Sequence, residues 1–117
     1  MPKPTIEDVQ ECVGKYQYYF GLKSWRIEVS FAVDDQENIG DCVACPEYFK
    51  ARVAFNLDKL PSLKEMEMVV RHEMLHVVLS PYTEVVLSLS ENKKTLELVE
   101  EMVVSSMERW PLWRVME

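Results

Sequence analysis

The stretch VVRHEMLHVVLS, residues 69–80, holds both histidines of the chain, His72 and His76, with Glu73 directly after the first. On a helix, residues four apart lie one turn apart on one face, so both imidazoles project the same way. That spacing lets two ring nitrogens reach one zinc ion at about 2.0–2.1 Å each. Glu73 is rotated to the side. There it can touch a water next to the metal without ligating the ion, the place of the general base in an HExxH pattern. The plain alternative is a core helix with two incidental histidines, since short patterns also arise by chance. Against it, polar groups interrupt VVRHEMLHVVL only at 71–73 and 76, and burying two imidazoles and a carboxylate without partners is costly.

Two histidines do not complete such a site. A catalytic zinc takes three protein ligands and keeps one position open. With no further histidine in the chain, the third ligand must be Cys, Asp or Glu. The segment TLELVEEMVVSSMERW, near the C-terminal end, offers Glu97, Glu100, Glu101 and Glu108. Some of these belong to an ordinary charged face, Glu108 among them. A helical wheel places Glu100 nearer the apolar arc of Leu96, Val103 and Met107, whereas Glu97 has Glu101 one turn on. Cys42 and Cys45 form a lone CVAC. It could be half a zinc site or a redox pair, but with no second CxxC these read as ordinary reduced thiols.

The elements that must position these groups follow from periodicity. Thr5 can cap a helix over 5–20, with Asp8 in a box-like position and Ile6, Val9, Val13 and Tyr16 at helical spacing. Gly21 stops it. SWRIEVSFAV alternates Trp25, Ile27, Val29 and Phe31 as a half-buried strand, and a short strand is expected near 42–45. KARVAFNLDKL puts Ala51, Val53, Phe55 and Leu57 on one face of another strand. Ser62 and Glu65 then open the histidine helix, expected over 63–79 and ended by Pro81. Residues 82–90 read as a short helix or a loop, and a last helix spans 93–109. Strands in the first half and the reactive helix in the second make an α+β domain.

The 117 residues fit one domain, 1–117, with a single modest core. A net charge of −7 argues against a nucleic-acid or anionic-membrane surface. No apolar run approaches the roughly 18–20 residues of a membrane helix. MPKPTIEDVQE has no apolar signal region, so a cytoplasmic protein, prokaryotic or phage-encoded, is expected. The tail RWPLWRVME, 109–117, is apolar after a helix-breaking proline. Its expected place is against the first helix or the sheet, the alternative being along the active-site cleft as a latency peptide.

Most of residues 20–108 resemble the gluzincins, thermolysin-like metallopeptidases in which HExxH is followed by a glutamate on a second helix. The similarity is to the compact phage and prokaryotic forms, including minigluzincins. It is carried by SWRIEV, YFKARVAFNL, HEMLHVVLSP and EEMVV. The resemblance implies a zincin-like fold: an N-terminal helix, a small twisted sheet of about three strands, an active-site helix and a C-terminal glutamate helix. It implies a zinc metalloendopeptidase acting on peptides or proteins, with Zn²⁺ on His72, His76 and a glutamate and with Glu73 as catalytic base. In thermolysin-like helices the ligand has apolar residues at i+2 or i+3 and at i+6, and a polar one at i+4. Glu101 fits best through Val103, Val104, Met107 and Ser105, with Glu100 and Glu97 as alternatives. The strand over 51–57 resembles the zincin edge strand that pairs with substrate. Larger relatives steady the tetrahedral intermediate with a histidine or tyrosine from a C-terminal subdomain for which this chain ends too early, leaving Tyr82 or Arg71 as substitutes. The rival reading is a non-catalytic, zincin-shaped binding or assembly protein with a structural or vestigial zinc.

Overall fold

The computed structural model describes residues 3–31, 38–89 and 93–107. Helix α1 spans Ile6–Tyr19 and opens on the expected capping box: Thr5 Oγ1 accepts from the Asp8 amide, and Asp8 accepts from the Thr5 amide at 2.9 Å. Gly21, at φ 71°, takes the left-handed conformation that lets the chain leave the helix. Strand β1 (Arg26–Ser30) follows, then β2 (Gly40–Cys45) and β3 (Lys50–Phe55). Helix α2 spans Leu63–Leu89 and α3 spans Lys93–Met107. The arrangement is a small α+β domain built on a three-stranded mixed sheet.

The strand order is β1-β3-β2, with β1 parallel and β2 antiparallel to β3. This corrects the assignment of the 51–57 strand as the substrate-pairing edge. β3 is hydrogen-bonded on both sides, and its Ala51, Val53 and Phe55 are buried. Pairing on both sides is what makes a strand central, and one-face alternation, which suits central and edge strands alike, does not distinguish the two. The edge that packs against α2 is β2.

The core joins Val9, Val13 and Tyr16 of α1 to Val53 and Phe55 of β3 and to Val70, Met74 and Val77 of α2. A polar clamp crosses the α1–α2 contact. Lys15 pairs with Glu67, Tyr16 Oη donates to Glu67 Oε1 at 2.9 Å, and Arg71 Nε donates to Tyr16 Oη at 3.1 Å. A second small cluster pins α3 to α2 through Val104 and Leu75, both essentially inaccessible.

Pro81 does not end α2, as expected from its sequence, but lies inside it. Proline lacks the N–H that would serve the carbonyl four residues earlier, that of Val77. Ser80 Oγ donates to that carbonyl at 2.7 Å. The neighbouring hydroxyl thus replaces the lost bond, and the helix continues through 82–89. No helix among the described residues is long and apolar enough to cross a membrane. The tail at 109–117 and Glu108 lie outside the described residues.

Candidate metal centre

α2 places His72 and His76 one turn apart with ring centroids 5.1 Å from each other. α3 brings Glu101 across both. Its Oε1 lies 2.6 Å from His72 Nε2 and its Oε2 3.1 Å from His76 Nε2. One ligand atom from each of the three residues falls within 4.8 Å of the others, so His72, His76 and Glu101 form a group that could hold a metal ion. Two imidazole nitrogens and a carboxylate are a donor set that suits zinc. The imidazole side chains are largely covered, whereas Glu101 is about half exposed at 51%. The group therefore opens toward solvent on the α3 side.

Glu100, weighed in the sequence as an alternative ligand, meets the other face of the histidine pair. Its Oε1 lies 2.8 Å from His76 Nδ1. A carboxylate accepts, so this contact suits the tautomer with its proton on Nδ1, the one in which Nε2 would present its lone pair to a metal in place of the Glu101 contact. The neighbours Glu100 and Glu101 thus divide the work: one orients an imidazole, the other joins the donor group. Glu97 lines the same cleft without entering the donor group.

Glu73 is 7% exposed and lines the cleft. Burial pushes its carboxyl up to about 7; His76 and His72 pull it down, and Glu101 and Asp41 push it further up. At neutral pH such a group can both accept and return a proton.

The opposite wall is the start of β2. A Cβ built on Gly40 would stand 3.0 Å from Glu73 Oε2 and 3.2 Å from both Glu73 Cγ and Val69 Cγ1. Glycine is what allows the edge strand to approach the carboxylate this closely. Sequence reasoning missed Gly40 because it looks like the end of a polar turn, and the close approach depends on two elements distant in sequence. The Glu100–His76 contact had a signal, the position of Glu100 toward the apolar arc.

Neither proposed substitute for an intermediate-stabilising residue reaches the cleft. Tyr82 is 71% exposed, and Arg71 is committed to Tyr16, its guanidinium 5.5 Å from the ring centroid. Cys42 does line the cleft, but Cys45 does not. Three residues apart on a strand, their side chains point to opposite faces and their Cα atoms stand about 10 Å apart, too far for a disulfide or a shared ion. Burial, then the charges of Glu73, Asp41 and Glu100, pushes the Cys42 thiol up, so it stays protonated. Comparison with family models, with curated proteins and with solved structures finds no match for this chain.

Proposed function

We propose that the chain is a zinc metallopeptidase of zincin-like architecture, with Zn²⁺ held by His72, His76 and Glu101 and Glu73 as the catalytic base. The observation that carries the reading is the convergence of those three donors beside the buried Glu73 side chain in one cleft. Zinc, when bound, supplies a Lewis acid for the scissile carbonyl and lowers the pKa of a water to about 7.

The chain's own residues supply the rest. Glu73 takes a proton from the attacking water as the new C–O bond forms, then returns it to the nitrogen as the C–N bond breaks. No net proton is consumed by the protein. Glu100 orients the His76 ring through Nδ1. β2, paired on one side only among the described residues and set against Glu73 through Gly40, is the edge along which an extended peptide would add, the usual way a strand edge takes one. A base is unnecessary at a purely structural metal, which favours catalysis over a zincin-shaped binding protein.

The test is hydrolysis of a quenched-fluorescent peptide mixture by zinc-loaded protein and its Glu73→Gln variant. Wild type is expected to cleave and the variant to lose at least about a hundredfold, the lower range for a positioned acid–base group, with zinc content and fold retained. Equal rates in the two proteins would show that Glu73 is not the base. No cleavage by either would favour the binding-protein alternative.

A further inference from the structure

The face of α2 that carries the histidines does not stop at His76. Ser80 follows one turn on, and Thr83 and Glu84 one turn after that, at the spacing that keeps side chains on one stripe of a helix. The stripe reaches this far because Ser80 serves the Val77 carbonyl and lets α2 run through Pro81. Cys42 and Ala44 of β2 face it, on the side of the strand turned to the core. Small side chains on both sides leave a hollow of about 150 Å³, walled by Ala44, Ser80, Thr83 and Glu84. Small residues where a helix meets a sheet usually mean close packing. Here they line open space instead, and that space shares Cys42, His76 and Glu100 with the cleft of the donor group. The hollow therefore adjoins the metal site.

We infer that this hollow is a side-chain subsite that selects peptides with a compact side chain, that of Leu or Phe in size, close to the bond that is cut. Ala44, Ser80 and Thr83 are its specificity-determining residues. The inference rests on the peptidase reading, in which an extended peptide lies along β2. Residues directly opposite one another across a strand pair point to the same face. The substrate residue opposite Ala44 therefore turns its side chain toward α2, where the hollow is. Ser80 stands about 6 Å beyond His76 along the helix, close to the rise of two residues in an extended chain. The side chain that enters thus belongs to a residue within two places of the bond. A cavity of about 150 Å³ accommodates a benzene ring, so Leu and Phe fit and the larger indole of Trp does not.

The test measures binding, so it does not depend on turnover. Zinc-loaded Glu73→Gln protein is titrated with labelled hexapeptides, acetylated and amidated, that differ only in one central residue: Gly, Leu, Phe or Trp. The Leu and Phe peptides are expected to bind about tenfold more tightly than the Gly peptide, the scale of burying such a side chain in a half-open site. The Trp peptide should bind no more tightly than Gly. Ala44→Leu fills the hollow and should bring the Leu and Phe peptides within about threefold of Gly. Ala44→Gly with Thr83→Ala widens it and should raise affinity for the Trp peptide at least about threefold, a gain that a misfolded variant cannot give. Equal binding of the Gly, Leu and Phe peptides, or a preference unchanged by Ala44→Leu, overturns the inference. Trp binding as tightly as Phe in the parent protein overturns its size limit. Absence of hydrolysis by wild type would instead overturn the peptidase reading, leaving these binding ratios to be judged by themselves.

Discussion

Glu100 and Glu101 are adjacent in sequence, yet they meet different nitrogens of the histidine pair. This difference makes a graded prediction for metal affinity. Glu101→Ala removes one of three donors and is expected to weaken zinc binding by well over a hundredfold. Glu100→Gln loses only the carboxylate that orients His76 and should cost about 10–100-fold, the range for such outer contacts. Glu97→Gln should change zinc affinity little, since it stands outside the donor group. Competition titration with a chromophoric chelator reads all three, and a larger loss for Glu100→Gln than for Glu101→Ala would reverse the two roles. That His72, Glu73 and His76 share one helix was legible in the sequence, because their spacing lies within it. The third donor was not settled there, because a wheel reports which way a side chain leaves its own helix and not which atom it meets on another.

β2 and α2 show the same limit for whole elements. The hydrophobic alternation of 51–57 matches a strand over Lys50–Phe55, with Leu57 already in a 3-10 turn, but pairing on both sides is a property of the assembled sheet, and the edge against α2 falls to 40–45 instead. Pro81 was read as a helix terminator from its missing N–H, and Ser80 overrules that by serving the Val77 carbonyl. The function of the edge is testable at Gly40. Gly40→Ala puts a methyl group against Glu73 and Val69, tighter than nine in ten real Cβ contacts, so that a neighbour must give by a few tenths of an ångström. Either Glu73 or the edge must move. Peptide hydrolysis is therefore expected to drop about tenfold or more while zinc content is retained, because a misplaced reacting group loses rate steeply. Unchanged hydrolysis would mean that the close approach of β2 to Glu73 does not matter to the reaction.

For the molecule as a whole, α1 is tied to the helix that carries the site through Lys15, Tyr16, Glu67 and Arg71. Burial alone would raise the Glu67 carboxyl, but hydrogen bonds from Lys15 and Tyr16, with the charges of Lys15 and Arg71, outweigh it and hold it below its ordinary 4.5. A carboxyl lowered by folding stabilises the fold above its unfolded pKa, and that contribution is lost as pH falls through the folded value. Glu67→Gln should accordingly lower the thermal midpoint near neutrality and flatten its fall between about pH 5 and 3. An unaltered acid limb would show that the clamp is not coupled to stability. The α+β class was readable from the order of periodic segments, whereas this clamp was not, since it links residues more than fifty positions apart. The effects on metal affinity and hydrolysis presuppose a metal at the meeting of α2 and α3. The most direct measurement is the zinc content of the purified protein, alone and with His72→Ala and His76→Ala combined. The account predicts about one Zn²⁺ per wild-type chain after exposure to zinc and removal of excess, and almost none in the double variant. A wild-type chain that retains no zinc, or a double variant that retains as much as wild type, would contradict it.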